Sequence, residues 1–329
     1  MSTPALNVLL LGAQGQLGRE LADLLQTSAV QAYLGQLGQL GQLGQLGQLG
    51  QEGQDVQVTD WSRADFDFAD LDPLNSRLEA LSPHIILNAS AYTAVDLAED
   101  HEQEAFQINA ELPQRLAQFA AKTQAVLVHY STDFVFDGEK KTPYVETDPT
   151  APLSAYGRSK LAGEVAIQDS HCQHLIFRTG WLMGAKGQNF LKTMLRLGAD
   201  REALNVVADQ WGAPTPASWL AQMSLDALAQ CLKDQNSAPW GLYHASSQGQ
   251  TTWHGYAELI FNEARELGFA LKVKPESVKG IRTDQYPMKA TRPPYSVLST
   301  EKLQSEFNAK PPHWNQAVLS VLKELRTLQ

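Results

Sequence analysis

The sequence predicts an α/β fold in which helices cover both faces of a doubly wound parallel sheet. Three observations support this fold class: a strand-like run that ends in a glycine-rich turn and a helix, four further strand-like runs that alternate with helical patterns, and a less regular C-terminal part. Strands that alternate with helices favour parallel pairing through right-handed crossovers. We therefore expect one sheet with a smaller part attached to it.

The first element is an apolar run from Leu6 to Leu11, which leads into Gly12-Ala13-Gln14-Gly15-Gln16-Leu17-Gly18 and then a helical pattern over Arg19 to Gln26. In such a strand, turn and helix unit, the glycines permit a tight turn, a close approach to a pyrophosphate and close packing of the helix. The helix N-terminus supplies free N–H groups and a favourable dipole. The motif predicts a dinucleotide site; a glycine-rich turn without nucleotide is the alternative.

A low-complexity insertion over residues 34–54 follows, with six consecutive copies of Leu-Gly-Gln from Leu34 to Gln51. A period of three with glycine in each unit suits neither a helix nor an alternating strand. We expect a flexible surface excursion between the first helix and the second strand, because long surface loops cost little closure entropy. A self-association segment is the alternative.

The second strand is expected over Asp55 to Thr59 and ends at Asp60. An acidic residue at this position binds the adenosine ribose in dinucleotide sites and favours NADH, whereas Arg63, three residues on, is able to accommodate a 2′-phosphate. The cofactor choice between NADPH and NADH stays open. The separation between the first glycine of the motif and this acidic residue is usually about 20 residues. The much longer separation between Gly12 and Asp60 supports the interpretation of the repeat as an insertion.

The next patterns continue the alternation of helices and strands. They predict a helix over Pro73 to Leu81, a third strand over His84 to Asn88, a helix over Glu104 to Lys122, a fourth strand over Ala125 to Tyr130 and a fifth strand over His174 to Arg178. Ser131, Thr132 and Asp133 follow the fourth strand, where hydroxyl and carboxylate groups are in position to meet a ligand. We interpret His129, inside that strand, as structural.

Tyr156 and Lys160 stand four residues apart in Tyr156-Gly157-Arg158-Ser159-Lys160. On a helix such residues share one face, so that a phenol and an ammonium point into the same cleft. The neighbouring cation is expected to lower the pKa of the phenol and to make it an acid catalyst near neutral pH. An exposed helix face is the alternative explanation for this spacing.

From about residue 184 the pattern becomes irregular, with loops rich in glycine, proline and aromatic residues. These loops include Asn189-Phe190, Asp209-Gln210-Trp211-Gly212-Ala213-Pro214-Thr215 and Arg292-Pro293-Pro294-Tyr295-Ser296. They suggest a smaller substrate-binding part that closes over the sheet, with Asn189 and Arg292 as candidate substrate contacts. We therefore expect a Rossmann-like dinucleotide-binding domain over 1–183 and a mainly substrate-binding domain over 184–329.

The composition excludes several partners. A net charge of −10 and a pI near 5.3 argue against nucleic-acid binding through a basic face. Two cysteines, Cys172 and Cys231, cannot form a disulfide framework, which suits a reducing cytosol. The apolar run that begins at Val8 is too short for a signal core or a membrane span. We expect an unprocessed cytoplasmic protein with no membrane partner.

Taken together, the motifs resemble the extended short-chain dehydrogenase/reductase superfamily and, within it, the dTDP-4-dehydrorhamnose reductases. The resemblance rests on Gly15-Gln16-Leu17-Gly18, Asn88-Ala89-Ser90-Ala91-Tyr92-Thr93-Ala94-Val95-Asp96, Tyr130-Ser131-Thr132-Asp133-Phe134-Val135-Phe136-Asp137-Gly138, Tyr156-Gly157-Arg158-Ser159-Lys160-Leu161-Ala162-Gly163-Glu164, Arg178-Thr179-Gly180-Trp181 and Asp209-Gln210-Trp211-Gly212-Ala213-Pro214-Thr215. These segments span nearly the whole chain outside the repeat.

The resemblance implies catalysis by Thr132, Tyr156 and Lys160. The reaction would be NAD(P)H-dependent reduction of the C4 ketone of dTDP-4-dehydro-L-rhamnose, the last step of dTDP-L-rhamnose biosynthesis for polysaccharides such as O-antigen lipopolysaccharide. The implied cofactor contacts are Gly15, Gln16, Leu17, Asp60, Asp67, Phe68, Ala91, Tyr92 and Thr93, to which the glycine motif and the helix add Gly12, Gly18, Tyr156 and Lys160. The implied sugar-nucleotide contacts are Thr132, Asp133 and Trp181. Another nucleotide-sugar reductase or epimerase, or a non-catalytic regulatory relative, are the alternatives.

One departure from the family concerns metal binding. Some members dimerise through a magnesium ion held by glutamates, and Glu20 and Glu301 match two of these positions, but the third is Ser218. Loss of one carboxylate weakens a magnesium site, since this ion prefers oxygen ligands of that type. We expect no structural metal and a monomer or weak homodimer.

Overall fold

The computed structural model describes residues 5–39 and 55–328. In these ranges the strands are β1 (Leu6–Leu11), β2 (Val56–Trp61), β3 (Ile85–Asn88), β4 (Val126–Thr132), β5 (His174–Thr179), β6 (Leu182–Met183), β7 (Leu204–Val207), β8 (Trp211–Gly212), β9 (Thr215–Pro216), β10 (Gly241–His244), β11 (Thr251–Thr252) and β12 (Val278–Ile281). The helices are α1 (Gln16–Leu25), α2 (Ser28–Gln39), α3 (Leu74–Leu81), α4 (Val95–Ala98), α5 (Glu102–Phe106), α6 (Leu112–Thr123), α7 (Ala155–Asp169), α8 (Phe190–Asp200), α9 (Ala217–Lys233), α10 (Trp253–Glu266), α11 (Glu301–Phe307) and α12 (Trp314–Thr327).

A six-stranded parallel sheet forms the centre of the molecule, in the order β10-β5-β4-β3-β1-β2. The chain adds β2 on one side of β1 and β3 on the other, so the winding direction reverses between β1 and β3. Ligands of doubly wound sheets bind outside the carboxyl ends of the strands at such a switch point. The predicted Rossmann-like fold is confirmed, and the five predicted strands are present.

The sixth strand, β10, was not predicted. It lies beyond residue 183, pairs in parallel with β5 and extends the sheet with four residues. Helix α9 also comes from the C-terminal half and packs against α1. The sheet layer therefore draws on residues from both sides of position 183, and the division into domains 1–183 and 184–329 stays a prediction.

Alternation along β1 explains why both faces of the sheet are covered. Leu6, Val8 and Leu10 point into one apolar cluster with α1 and α9, whereas Leu9 and Leu11 point into another cluster with α3 and α6. Successive side chains of a strand face opposite sides, so an unbroken apolar run is typical of a strand that is buried on both faces.

A third apolar cluster lies outside the sheet. It is formed by β7 and β12, which pair in parallel, and by α8, α10 and α12. Tyr256 and Phe261 of α10 are fully buried at its centre. This cluster supports the irregular loops that the sequence assigned to substrate binding.

One local expectation, that the Leu-Gly-Gln repeat is a flexible excursion from its first residue, was wrong. The first residues of the Leu-Gly-Gln repeat, 34–39, continue α2, and Leu34 is buried in the core beside the sheet, because its apolar side chain completes the packing of that helix. The remainder of the repeat, 40–54, lies outside the described residues. The helix predicted over Glu104 to Lys122 is present, as α5 and α6 joined without a break by a π-helical segment, Gln107–Glu111.

Over the part of the chain that the structure describes, no helix is long and apolar enough to cross a membrane.

Candidate active site

The glycine turn after β1 is built at very close range. Gly12 has a φ of +79°, and its N–H donates to the carbonyl oxygen of Trp61 at 2.8 Å. A Cβ at Gly12 would lie 2.7 Å from the backbone of Ala89, and a Cβ at Gly18 would lie 2.0 Å from the carbonyl oxygen of Gly12. Glycine is required at both positions, because a side chain would drive the turn away from β3 or from α1.

Helix α1 begins directly at this turn, at Gln16. Its N-cap residue, Gly15, makes no side-chain capping bond, and its first turn contains no acidic residue. The first N–H groups of a helix lack intrahelical partners, and the helix dipole favours an anion near them. The turn therefore fits the pyrophosphate of a dinucleotide, as the glycine spacing predicts.

A cleft of about 500 Å³ opens beside the turn. Its lining residues are Ala13, Gln14, Arg19, Ala22, Asp23, Asp60, Ser62, Asp65 and Lys186. Asp60 lies near the end of β2, and burial, followed by the charge of Asp65, raises the pKa of its carboxyl group. Arg63 is exposed and lies outside the lining of this cleft among the residues described.

A short segment after β6 crosses over the glycine turn. Lys186 forms ion pairs with Glu20, at 3.0 Å, and with Asp23, both on α1. Asn189 caps α8 by accepting from the N–H of Lys192 at 3.1 Å, and its amide donates to Gln16 Oε1 at 2.9 Å. Asn189 therefore contacts Gln16, a residue predicted to bind the cofactor. The sequence had instead suggested that Asn189 contacts the substrate.

Thr132 is the last residue of β4 and is buried. Its hydroxyl donates to Asp133 Oδ1 at 3.1 Å and accepts from the N–H of Phe134 at 3.2 Å. The other oxygen of Asp133 accepts from Ser296, which ties the end of β4 to the C-terminal loop. Burial raises the pKa of Asp133 to about 6, against the opposing effect of the Ser296 and Thr132 hydroxyls.

Helix α7 brings Tyr156 and Lys160 to the same edge of the sheet. It begins after Ser154, whose hydroxyl accepts from the N–H of Gly157 at 3.2 Å. A Cβ at Gly157 would lie 2.3 Å from the carbonyl oxygen of Phe134, so the helix packs directly against the segment that follows Thr132. This contact brings the Tyr156 hydroxyl close enough to the Thr132 hydroxyl for the latter to lower the pKa of the phenol.

The charge states of the pair differ from the expectation. Burial raises the pKa of Tyr156 to about 12, and the nearby Thr132 hydroxyl offsets only part of this effect. Burial also lowers the pKa of Lys160 to about 8, while the charge of Glu164 opposes the shift. The expected lowering of the Tyr156 pKa is therefore wrong, because desolvation of the phenol dominates the shift.

Asn109 is a site residue that the sequence reasoning missed. It is fully buried in the π-helical segment, and its side chain binds both the N–H and the carbonyl group of Tyr92, at 2.9 Å and 3.1 Å. Its amide also donates to Ser159 Oγ on α7 at 3.0 Å. A lone amide among the apolar positions Ile108 and Leu112 was the available signal, since buried polar groups are paired as a rule.

A second cleft, of about 580 Å³, lies beside α8, β7 and β12, outside the central sheet. Its lining residues are Phe190, Met194, Leu197, Arg201, Ala203, Leu204, Asn205, Val206, Val207, Gln210, Trp253, Ile281, Gln285, Tyr286, Met288 and Arg292. Arg292 also binds Asp96 with both terminal nitrogens, at 2.9 Å and 2.7 Å, and this pairing lowers the pKa of Asp96 to about 2. Trp181 stacks on Trp253, a lining residue, with ring centroids 3.5 Å apart.

The remaining predicted cofactor residues lie along the same edge or just behind it. Asp67 and Thr93 are exposed and Ala91 is half-buried, whereas Tyr92 and Phe68 are buried. Phe68 packs against the ring of Phe66 with centroids 5.4 Å apart. Direct contacts of these five residues with a cofactor stay predictions.

For metal binding, residues 5–39 and 55–328 contain no group of three or more His, Cys, Asp or Glu side chains placed to hold an ion. Glu20, one of the family positions, is paired with Lys186. The expectation of no structural metal and of a monomer or weak homodimer stays a prediction.

Comparison with known proteins agrees with this geometry. Residues 6–327 match the model of the RmlD substrate binding domain. The dTDP-4-dehydrorhamnose reductase of Escherichia coli K12 is 42% identical over 98% of this chain and 99% of its own length. Solved structures of dTDP-4-dehydrorhamnose reductases from Clostridium acetobutylicum and, in complex with NADP, from Bacillus anthracis superpose with TM-scores of 0.81 and 0.79. They are 32% and 30% identical, and the match covers 97% and 98% of this chain and 99% and 100% of theirs. The chain therefore belongs to the RmlD substrate binding domain family, together with these dTDP-4-dehydrorhamnose reductases.

Proposed function

We propose that this protein reduces the C4 ketone of dTDP-4-dehydro-L-rhamnose to dTDP-L-rhamnose with NADPH or NADH. The observation that supports this function best is that a phosphate-binding glycine turn and the Thr132, Tyr156 and Lys160 side chains lie at one edge of one sheet. The named activity of the curated relatives and the NADP in the Bacillus anthracis structure support the substrate and the cofactor class.

In this proposal the glycine turn and the N-terminus of α1 bind the pyrophosphate, and Asp60 binds the adenosine ribose. Tyr156 and Lys160 face the nicotinamide end. When bound, the reduced nicotinamide supplies a hydride to the ketone carbon. The protein then has to provide a proton for the ketone oxygen and to hold the sugar in position.

Tyr156 donates that proton. A donor must be protonated before the reaction, and a Tyr156 pKa of about 12 keeps the phenol protonated at neutral pH. Thr132 is placed to donate a hydrogen bond to the same oxygen, because its hydroxyl already lies beside that of Tyr156. To do so, the Thr132 hydroxyl would exchange its present acceptor, Asp133 Oδ1, for the ketone oxygen.

The second cleft binds the nucleotide part of the substrate. Apolar and aromatic side chains, including Phe190 and Tyr286, offer surfaces for the base, and Arg292 offers a guanidinium group for the diphosphate. Arg292 then exchanges Asp96 for phosphate oxygens. Trp181 and Asp133 connect this cleft to Thr132, and the sugar ring occupies the space between them.

We also propose that the enzyme acts in the cytoplasm as a monomer or weak homodimer, with a dTDP-sugar as its partner and neither nucleic acid nor a membrane. The net charge of −10 supports the exclusion of polyanions.

Replacement of Tyr156 by Phe tests the mechanism. The loss of the proton donor is expected to lower kcat by at least about 100-fold, while NADPH affinity stays near the wild-type value. Tyr243→Phe is the matched control, because it removes a buried hydroxyl that bonds Pro239 in the core away from this edge. If Tyr156→Phe retained most of its turnover, the assignment of the proton donor would be wrong.

A further inference from the structure

One carboxylate, that of Asp96, joins two segments that are far apart in the chain. Asp96 lies in α4, just after the loop that contains Tyr92 and Thr93, two predicted cofactor residues. Its Oδ1 atom accepts from the backbone N–H groups of Lys289 and Ala290, at 3.1 Å and 3.0 Å. The loop after β3 is thereby fastened to the irregular C-terminal part.

The guanidinium group of Arg292 binds the same carboxylate. Its Nη1 atom donates to Oδ1 at 2.9 Å and its Nη2 atom to Oδ2 at 2.7 Å, which is the bidentate geometry of a strong, charge-assisted pair. The hydrogen bond from Arg292, followed by those from the two backbone N–H groups and by the Arg292 charge, lowers the pKa of Asp96 to about 2. The carboxylate is therefore ionised at neutral pH, and the pair is present there.

The two oxygens of Asp96 have different partners. The main-chain bonds go to Oδ1, whereas Oδ2 accepts from the guanidinium group. The anchored residues, Lys289 and Ala290, lie between Met288 and Arg292, which both line the second cleft. Oδ1 thus fixes the main chain of the cleft wall, and Oδ2 occupies a cation of that wall.

We propose that Asp96 is a positioning residue with two separable effects on the second cleft. Oδ1 anchors the wall that carries Arg292, and Oδ2 competes with a bound diphosphate for the guanidinium group. The second effect rests on the function proposed above, in which Arg292 exchanges Asp96 for phosphate oxygens. After this exchange the two main-chain bonds still hold the segment, so the guanidinium group reaches the diphosphate from a fixed base.

A second ion pair joins the same segments and provides a matched control. Asp100 pairs with Lys289 Nζ, and both side chains are about half exposed, at 50% and 52%. Exposed ion pairs contribute little to stability. Asp100→Asn removes the same charge as Asp96→Asn and also leaves a cation without its carboxylate, but it touches neither the main chain of the wall nor Arg292.

Two variants at Asp96 separate the effects. In Asp96→Asn the amide oxygen still accepts from the two backbone N–H groups, but the NH₂ group faces Arg292 Nη2, donor against donor. Asp96→Ala removes both oxygens. Hydrogen exchange of the Lys289 and Ala290 amides in the ligand-free protein measures the anchor. We expect slow exchange in the wild type and in Asp96→Asn, and exchange at least about tenfold faster in Asp96→Ala. Equal rates in the wild type and in Asp96→Ala would overturn the anchor.

Calorimetric titration with dTDP measures the competition. Asp96→Asn should bind dTDP about fivefold more tightly than the wild type, because no ion pair has to break. Asp96→Ala frees the guanidinium group but also the wall, so it should bind at least about threefold more weakly than Asp96→Asn. Asp100→Asn should match the wild type.

The outcomes distinguish this proposal from the function on which it rests. A wild type that does not bind dTDP would contradict the proposed function, while the exchange rates, which need no ligand, would still decide the anchor. Normal wild-type affinity without a gain in Asp96→Asn would contradict the competition alone. An equal gain in Asp96→Asn and Asp100→Asn would mean that net charge is responsible, and the competition would again be wrong.

Discussion

Substitution of Gly18 by Ala tests whether the turn and α1 require the close approach seen here. The added methyl group would lie 2.0 Å from the carbonyl oxygen of Gly12, whereas non-bonded heavy atoms prefer about 3.5 Å, so α1 must move away from the turn by about 1 Å or more. Overpacking of this kind costs about 1–3 kcal/mol. If cofactor binding requires the native arrangement, this cost corresponds to about 5- to 150-fold weaker binding.

Calorimetric titration with NADPH and with NADH measures this loss, and thermal unfolding measures the accompanying loss of stability. Gly184→Ala is the matched control, because a methyl group there would meet its nearest neighbour, Ala217 Cβ, at an ordinary 3.8 Å. We expect weaker binding and a lower Tm for Gly18→Ala only. Unchanged affinity for both cofactors in Gly18→Ala would refute the view that this turn holds the dinucleotide.

Further predictions concern stability, pH and assembly. Glu164→Gln should lower the free energy of unfolding by about 3–5 kcal/mol in urea titrations, because Arg178 would keep a buried charge without its carboxylate; a loss below 1 kcal/mol would contradict this. Burial raises the pKa of Asp133 to about 6, so the folded protein binds more protons than the unfolded chain and this residue makes stability fall as pH rises from about 4 to 6. Asp133→Asn should flatten that part of the stability profile, and an unchanged slope would count against the shift. Because Ser218 replaces a carboxylate, light scattering should give the same mass with and without chelator; a dimer that dissociates on chelation would refute the absence of a bridging magnesium ion.

The sheet could be predicted from sequence wherever a strand is buried on both faces. Leu6 to Leu11 is apolar apart from Asn7 and leads into the glycine turn, and β4 begins with the apolar run Val126 to Val128 and is buried at every position. The strand Gly241–His244 gives only a weak signal in the sequence, because it has four residues and begins with glycine, which is depleted in strands. Its position is determined by pairing with β5, which is a tertiary effect.

Site residues could be predicted where their spacing in the sequence places them on one face of a helix, as for Tyr156 and Lys160. The contacts that set their charge states were not, since they join residues that are distant in the chain. Lys160, for example, is buried 3.3 Å from Nε2 of His129, and Nδ1 of that ring lies 3.1 Å from the amide of Asn88 on another strand. Desolvation of the phenol likewise follows from packing of the completed fold and reverses the shift expected from the charge of the lysine alone.

The central claim is that this chain reduces a nucleotide-linked keto sugar with a nicotinamide cofactor. A coupled assay that generates dTDP-4-dehydro-L-rhamnose in place, and follows NADPH and NADH absorbance in parallel, measures this most directly. We predict oxidation of at least one cofactor in step with formation of dTDP-L-rhamnose. An epimerase would retain its cofactor without net consumption, and no oxidation of either cofactor would contradict the proposed function.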